Sequence, residues 1–215
     1  MQGLYLVTPN WDDTERMLAC TAAALDAGAA MVQYRNKDAS AALRLTQGAA
    51  LLALCRRYRR PLIINDHVAL CLTLGADGVH VGGTDVAVGE ARAALGPERL
   101  VGASCYGDLA LARAAERDGA SYAAFGGFYP SPVKRYDFVT EPALVSQARR
   151  DLTLPLVVIG GMTPANAAPL VARGANMVAA ITSVYQAADP GAAVQCFNAL
   201  FLEHAKTSAM PGQTV

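Results

Sequence analysis

The sequence has no excess of charge of either sign. Its 18 Lys and Arg residues balance 18 Asp and Glu residues, so the formal net charge at pH 7 is zero. Because nucleic-acid binding depends on basic surface, this balance argues against a nucleic-acid-binding protein. Recognition of any anion must therefore come from a few local groups and not from a field of the whole surface.

Paired cysteines, a secretory signal and long apolar runs are also missing. The five cysteines are scattered without a Cys-x-x-Cys spacing, a pattern typical of free thiols in a reducing compartment. Residues 1–5 show no basic region followed by an apolar core. The longest apolar runs are too short to cross a membrane. We therefore expect a soluble, cytoplasmic protein.

The sequence does contain a repeated Gly-Ala pair. Four times this pair follows a segment of helical character and precedes a short apolar segment, with the glycine at positions 28, 75, 119 and 174. Four other apolar segments alternate with these, at residues 4–8, 61–64, 100–103 and 155–159. Nearly continuous apolar character is expected of parallel strands that are buried on both faces.

Eight strand–helix units within 215 residues, 53% of them hydrophobic, predict one (β/α)8 TIM barrel of the α/β class. A doubly wound open sheet is the alternative, but that fold gives no reason to stop at eight evenly distributed units. We place the barrel at residues 1–206 and its last helix from about Pro190 to Lys206. The polar tail, residues 207–215, is expected to be disordered.

Two carboxylates follow neighbouring predicted strands. Asp66 comes directly after the third strand and Asp85 comes after the fourth. Functional groups of this fold gather at the carboxyl ends of the strands, so the two side chains should face one another there. Because Mg²⁺ is usually held by one or two carboxylates together with substrate phosphates, the sequence predicts a Mg²⁺ site.

Three cationic side chains are expected on the same edge of the barrel. Arg35 and Lys37 follow the second strand, and Lys134 lies in the segment after the sixth. A single surface lysine is usually only solvated. Together with Asp66 and Asp85, however, these cations would form a clamp that neutralises charge on a departing diphosphate.

A second anion site is indicated by the last two strands. Gly160 and Gly161 follow the seventh strand, and residues 181–183 follow the eighth. Loops at these two positions hold phosphate in many barrels through backbone N–H groups and a helix N-terminus. The alternative is that the glycines only form a tight turn. A second phosphate site would imply a second phosphorylated substrate or moiety.

No histidine or cysteine is an obvious catalytic group at this edge. His80 lies within the fourth strand and is expected to be a hydrogen-bonded core residue, while His67 and His204 lie elsewhere. Cys105 has no visible histidine partner. The residues therefore favour departure of a diphosphate over proton abstraction.

Together these segments resemble the thiamine-phosphate synthase family over nearly the whole chain. The matching segments are Gln-Tyr-Arg-Asn-Lys at 33–37, Ile-Asn-Asp at 64–66, Gly-Ala-Asp-Gly-Val-His at 75–80, Gly-Ala-Ser at 102–104, Phe-Tyr-Pro-Ser-Pro-Val-Lys at 128–134, Ile-Gly-Gly-Met-Thr at 159–163 and Ile-Thr at 181–182. The specificity comes from their order along the chain and their positions at the predicted strand ends.

The resemblance implies a transferase of thiamine biosynthesis. It would condense 4-amino-2-methyl-5-(diphosphooxymethyl)pyrimidine with 4-methyl-5-(2-phosphoethyl)thiazole, giving thiamine phosphate and diphosphate by Mg²⁺-assisted dissociative loss of diphosphate. The resemblance implies that Asp66 and Asp85 bind Mg²⁺. The implied catalytic residues are Arg35, Lys37, Ser104 and Lys134. The implied substrate-binding residues are Gln33, Tyr34, Arg35, Asn36, Lys37, Asn65, Ser104, Ser131, Pro132, Val133, Lys134, Gly161, Ile181 and Thr182.

Three positions depart from the family pattern. Asn36 replaces an acidic residue, Val133 replaces a common threonine, and Tyr106 stands where histidine is more usual. Two alternatives remain open: a thiazole tautomerase-like enzyme on the same barrel, and a non-catalytic barrel that binds a phosphorylated ligand as a regulator. A homo-oligomer is possible in either case. We also expect residues 128–142 to close over the site as a lid.

Overall fold

The structure is a computed structural model that describes residues 1–83, 85–131 and 137–208. Its strands are all parallel, each pairs with the next along the chain, and β1 pairs with β8 to close the barrel. The predicted TIM barrel is therefore confirmed. The strands are β1 Gly3–Val7, β2 Met31–Tyr34, β3 Leu62–Asn65, β4 Gly78–Val81, β5 Leu100–Tyr106, β6 Tyr122–Phe125, β7 Leu156–Val158 and β8 Met177–Ala180.

Helices surround this barrel. They are α1 Thr14–Asp26, α2 Ala41–Arg57, α3 Val68–Leu74, α4 Val88–Leu95, α5 Leu109–Arg117, α6 Ala143–Asp151, α7 Pro164–Ala172, α8 Thr182–Tyr185 and α9 Pro190–Ser208. The last helix ends two residues later than expected, and the rest of the predicted disordered tail lies outside the described residues. Within the described ranges, none of the helices combines the length and apolar character needed to cross a membrane.

The repeated Gly-Ala pairs have a common backbone reason. Each of the four glycines follows a helix and has a positive φ, between 66° and 104°. L-amino acids other than glycine rarely adopt this conformation, so glycine allows the chain to leave the helix and turn into the next strand. At Gly75 the left-handed residue caps α3 directly, and its N–H donates to the carbonyl of Leu72.

The strands separate two apolar regions because successive side chains point to opposite faces. Tyr5 and Val7 of β1 point into the barrel, whereas Leu4 and Leu6 pack against the surrounding helices. The inward-facing cluster consists of Tyr5, Val7, Met31, Ile63, Tyr122, Ala124, Val157, Met177 and Ala179. This alternation decides which side chain at each strand end faces the barrel mouth.

Candidate active site

A cavity of about 350 Å³ opens at the carboxyl ends of the strands. Most of the predicted site residues that the structure describes line it, so residues separated by up to 149 positions in the sequence meet there. They are Gln33, Arg35, Lys37, Asn65, Asp66, Asp85, Ser104, Ser131, Gly161, Ile181 and Thr182.

Asp66 is held between hydrogen-bond donors and a second carboxylate. Asn65 donates from Nδ2 to Asp66 Oδ2 at 2.5 Å, and Lys37 Nζ lies 3.5 Å from the same oxygen. Burial raises the pKa of Asp66, and the neighbouring carboxylate of Asp85 raises it further, while Lys37 acts in the opposite direction. Asp66 also has a φ of 62°, an uncommon backbone conformation for a residue other than glycine.

The backbone of the turn after β4 holds Asp85. The Gly82 N–H donates to Asp85 Oδ2 at 2.9 Å, and the Asp85 N–H donates back to the Gly82 carbonyl at 3.1 Å. Thr84 lies outside the described residues. Two adjacent carboxylates whose charges repel, at the wall of an open cavity, are a donor set that fits a Mg²⁺ ion. In the described ranges no third His, Cys, Asp or Glu joins them.

Residues before α1 position the cationic segment after β2. The Thr8 hydroxyl accepts from the Arg35 N–H at 2.7 Å and donates to the Arg35 carbonyl at 3.0 Å. Asn10 Oδ1 accepts from the Arg35 guanidinium at 3.1 Å and from the Lys37 N–H at 3.3 Å. Sequence reasoning missed both residues, although Thr8 ends the predicted first strand and Asn10 follows two positions later.

Tyr34 and Asn36, which were expected to bind substrate, do not line the cavity. Both side chains point from the strand end towards the helices and meet Gln47 of α2. The Tyr34 hydroxyl donates to Gln47 Oε1 at 2.9 Å, and Asn36 Nδ2 donates to the same oxygen at 3.3 Å and to the Trp11 carbonyl at 3.2 Å. Alternation along the strand explains the difference, because Gln33 and Arg35 take the inward positions.

The residues of the predicted second anion site line the opposite side of the same cavity. Gly160 and Gly161 have φ values of 108° and 59°, and Asn166 Nδ2 donates to the Gly161 carbonyl at 2.9 Å. A Cβ added at Gly161 would lie 2.2 Å from the Pro130 carbonyl oxygen, so the close approach of the two loops requires glycine. Ser183 also lines the cavity, and its buried Oγ has no hydrogen-bond partner among the described residues.

His80 has a larger role in the site than sequence reasoning gave it. It is buried and hydrogen-bonded, as expected, with Nδ1 at 3.1 Å from the Tyr122 hydroxyl and Nε2 at 2.9 Å from Ser104 Oγ. It also lines the cavity. The missed signal was its position in β4, where it pairs with Gly102 and Asn65 on the neighbouring strands.

Cys105 and Tyr106 of β5 have different surroundings. Cys105 is buried, and burial raises the pKa of its thiol to about 12, which agrees with its exclusion as a nucleophile. Tyr106 lines the cavity, and its hydroxyl accepts from the Gly83 N–H at 3.1 Å. Residues 132–136 lie outside the described residues, and they include the predicted Pro132, Val133 and Lys134 and the middle of the expected lid.

Comparison with known proteins agrees with this geometry. The profile of the family described as thiamine monophosphate synthase matches residues 4–184. The chain belongs to this family. The resemblance inferred from the sequence motifs is thereby confirmed, and with it the prediction of an enzyme of thiamine biosynthesis.

Individual members of the thiamine monophosphate synthase family are similar over nearly their full length. A thiamine-phosphate synthase from Janthinobacterium sp. (strain Marseille) is 59% identical over 94% of this chain and 97% of its own. One from Thiobacillus denitrificans is 49% identical over 93% and 94%. The solved structure of thiamine phosphate pyrophosphorylase from Pyrococcus furiosus is 28% identical, with a TM-score of 0.84 over 94% of this chain and 96% of that one.

Proposed function

We propose that this enzyme condenses 4-amino-2-methyl-5-(diphosphooxymethyl)pyrimidine with 4-methyl-5-(2-phosphoethyl)thiazole to form thiamine phosphate and diphosphate. Family membership supports the overall reaction. The observation that supports the assignment of substrates is one cavity lined by two separate sets of groups that suit anions. A carboxylate pair with cations lies on one side, and a glycine loop with a buried serine hydroxyl lies on the other.

The pyrimidine diphosphate would occupy the side formed by β2 to β5. Arg35 and Lys37 would bind the diphosphate, and the resemblance adds Lys134. Gln33, Asn65 and Ser104 would bind and orient the remainder of this substrate. Gln33 and Ser104 are both hydrogen-bonded to residues inside the barrel, Gln33 to Tyr5 and Ser104 to His80.

The donor set of Asp66 and Asp85 suits a Mg²⁺ ion, whose remaining ligands would be water and diphosphate oxygens. When bound, Mg²⁺ supplies a Lewis acid that neutralises negative charge on the leaving diphosphate. Lys37 already contacts Asp66 at 3.5 Å, so its ammonium is held beside the place where this charge would develop.

The thiazole phosphate would occupy the side formed by β7 and β8. Gly161, Ile181 and Thr182 would hold its phosphate, with Ser183 as a further hydroxyl donor. Ser131 lines the cavity between the two halves, and the resemblance adds Pro132 and Val133 to the thiazole contacts. Both substrates would then lie in one cavity with their reacting atoms between the two anion sites.

The chemistry would be dissociative. The bond between the pyrimidine methylene carbon and the diphosphate oxygen breaks, and both electrons leave with the oxygen. The aminopyrimidine ring stabilises the resulting methylene cation, and the lone pair of the thiazole nitrogen then forms the new carbon–nitrogen bond. No proton is removed in these steps, so the reaction would depend on charge stabilisation and not on a general base.

Diphosphate release tests the proposal. Purified protein with Mg²⁺ and both substrates should release one diphosphate for each thiamine phosphate formed. Asp85→Asn should greatly raise the Mg²⁺ concentration required, whereas the matched control Asp26→Asn, an exposed residue at the end of α1, should not. Substrate binding without product would instead indicate a regulator, and isomerisation of the thiazole without diphosphate release would indicate a tautomerase.

Lys134→Ala tests the contribution of the cation taken from the resemblance. We expect a lower rate of diphosphate departure, because one positive charge would be missing while charge develops on the leaving group. An unchanged rate would remove Lys134 from the mechanism.

A further inference from the structure

Five polar side chains from five strands form a continuous hydrogen-bonded chain across the inside of the barrel. Gln33 Nε2 donates to the Tyr5 hydroxyl at 2.7 Å, and the Tyr5 and Tyr122 hydroxyls lie 2.8 Å apart. The chain continues from Tyr122 to His80 Nδ1 at 3.1 Å and from His80 Nε2 to Ser104 Oγ at 2.9 Å. Its two ends, Gln33 and Ser104, are residues that bind the pyrimidine substrate in the proposed function.

The direction of the first hydrogen bond determines the direction of all the others. An amide nitrogen can only donate, so the Tyr5 oxygen accepts from Gln33 and its own hydrogen is directed to Tyr122. The Tyr122 hydrogen is in turn directed to His80 Nδ1. A neutral His80 then carries its proton on Nε2 and donates it to Ser104 Oγ, so the Ser104 hydrogen points into the cavity.

We propose that Tyr5, Tyr122 and His80 are positioning residues that couple the hydrogen-bonding polarity of Gln33 to that of Ser104. In the observed direction Gln33 presents its carbonyl oxygen to the cavity and Ser104 presents a donor. If the direction reversed, Gln33 would present N–H groups and Ser104 a lone pair. The two ends therefore always offer opposite polarity, and a ligand that touches both must offer one donor and one acceptor.

Tyr122 connects the two halves of this hydrogen-bonded chain, and the packing of the barrel fixes its position. It is fully buried and does not line the cavity, so its hydroxyl serves only the chain and not a ligand. Its ring packs at 88° against Tyr5 and stacks on His80. The opposite residue on β5 is Gly102, where a Cβ would lie 2.1 Å from the Tyr122 ring, so the strand lacks a side chain where the phenol needs space.

Burial also keeps the two phenols neutral. Desolvation raises the pKa of Tyr5 and the pKa of Tyr122 far above the ordinary tyrosine value, so neither loses its proton at neutral pH. Each hydroxyl therefore keeps one hydrogen and at least one lone pair, as the coupled chain requires.

The coupling would select one class of ring at the base of the cavity. An aminopyrimidine offers an amino N–H donor beside a ring-nitrogen acceptor, which matches a carbonyl oxygen at Gln33 and a hydroxyl donor at Ser104. The corresponding oxo-pyrimidine offers a carbonyl acceptor beside a ring N–H and presents the opposite order. This identification of the ring rests on the proposed function, whereas the coupling is a property of the free protein.

The tautomer of His80 measures the coupling directly. Histidine ¹⁵N chemical shifts distinguish the two neutral tautomers and the imidazolium, and His80→Gln assigns the signal among the three histidines of the chain. At about pH 8, above the ordinary histidine pKa of about 6.5, the ligand-free protein should show the proton of His80 on Nε2. In Gln33→Glu the introduced carboxylate can only accept from Tyr5, so the chain should reverse and the proton should move to Nδ1.

Tyr122→Phe supplies the decisive comparison, because it removes the connecting hydroxyl and keeps the ring. Alone it should change the fraction of the Nε2–H tautomer, and added to Gln33→Glu it should abolish the effect of that substitution. The exposed control Gln147→Glu should leave the His80 signal as in the parent. A His80 proton on Nδ1 in the parent, no response to Gln33→Glu, an imidazolium in that variant, or the same response without the Tyr122 hydroxyl would each overturn the proposal.

The activity assay gives an independent second measurement. Tyr122→Phe should reduce discrimination between the amino- and oxo-pyrimidine diphosphates about tenfold, since that corresponds to one lost hydrogen-bond preference. Unchanged discrimination would contradict the selective role. If the parent releases no diphosphate, the proposed function fails while the NMR result still stands, so the two failures are distinguishable.

Discussion

Asn36→Asp introduces the acidic residue that is common at this position of the family, and we expect it to destabilise this protein. Asn36 is 5% exposed, and its Nδ2 donates to two oxygens, the Trp11 carbonyl at 3.2 Å and Gln47 Oε1 at 3.3 Å. A carboxylate would place an acceptor against both acceptors. Gln47 cannot adapt easily, because its own Nε2 already donates to the Trp11 carbonyl.

The expected loss of unfolding free energy is about 3 kcal/mol at neutral pH. The two donated hydrogen bonds contribute about 1 kcal/mol each. Burial of the carboxyl group without a cation adds about 1.4 kcal/mol for every unit by which its pKa rises. For a chain of this size, 1 kcal/mol corresponds to about 2–4 °C in Tm, so the variant should melt about 6–12 °C below the parent.

The pH dependence follows from the sign of that pKa shift. The folded variant would bind the carboxyl proton more tightly than the unfolded chain, so its stability falls as pH rises from about 4 through the raised pKa. Thermal unfolding at pH 4.5 and 7.5 should therefore show the larger deficit at pH 7.5. The exposed control Gln147→Glu makes the same chemical change and should alter stability by less than about 0.5 kcal/mol.

Enzyme kinetics separate this explanation from a role in substrate binding. Because Asn36 faces the helices, the folded variant should keep the KM of the pyrimidine diphosphate within about twofold of the parent. A variant that melts with the parent but has a strongly altered KM would show that residue 36 faces the substrate, and the packing argument would be wrong.

Three further predictions follow from the site. Asp66→Asn should raise Tm at pH 7 but not at pH 4, because it removes a carboxyl group whose pKa is raised by folding. The free energy of unfolding should increase by about 1.4 kcal/mol for each unit of that pKa rise. Mg²⁺-dependent activity should be lost. Gly161→Ala should raise the KM of the thiazole phosphate at least tenfold and also lower Tm, since alanine is strained at a φ of 59° and its Cβ would force the loop away from the Pro130 carbonyl. Iodoacetamide at pH 8 should label the exposed Cys196 and not Cys105, as mass spectrometry of the folded protein can check.

The barrel could be predicted because its pattern is local. Each Gly-Ala pair marks a left-handed turn out of a helix, and each apolar segment has the length of one strand. The order of the strands then follows from the preference of consecutive parallel strands to be neighbours. Asp66 and Asp85 could be placed together for the same reason, since β3 and β4 are adjacent and both residues follow strand ends.

The direction of the Tyr34 and Asn36 side chains was harder to predict. Tyr34 and Asn36 were included with Gln33, Arg35 and Lys37 because they belong to the same motif, although neighbouring residues of an extended segment point in opposite directions. The hydrogen bonds of both residues to the helical layer could have been anticipated only from that alternation. Sequence spacing alone did not indicate that the buried Gln47 of α2 lies within hydrogen-bond distance of both residues.

The hydrogen-bonded series of side chains from Gln33 to Ser104 could not be predicted from any local sequence pattern. Tyr5 and Tyr122 are 117 positions apart and belong to strands that are not neighbours in the barrel, so their contact depends on the closed geometry and on the missing side chain at Gly102. In sequence, each of these tyrosines reads only as a large residue in a buried strand.

The charges at the barrel mouth explain how a chain without net charge could bind the two anionic substrates of the proposed function. Among the described residues that line the cavity, the cations Arg35 and Lys37 balance the carboxylates Asp66 and Asp85. This balance provides little long-range attraction for a free phosphate, because opposite charges this close together cancel at a distance. At contact distance Lys37 and Asp66 form an ion pair, and bound Mg²⁺ and diphosphate would divide these groups, with carboxylates on the metal ion and cations on the phosphate oxygens. In the proposed function, selectivity for a metal-bound diphosphate over a simple anion would therefore come from the arrangement of opposite charges within one cavity and not from their sum.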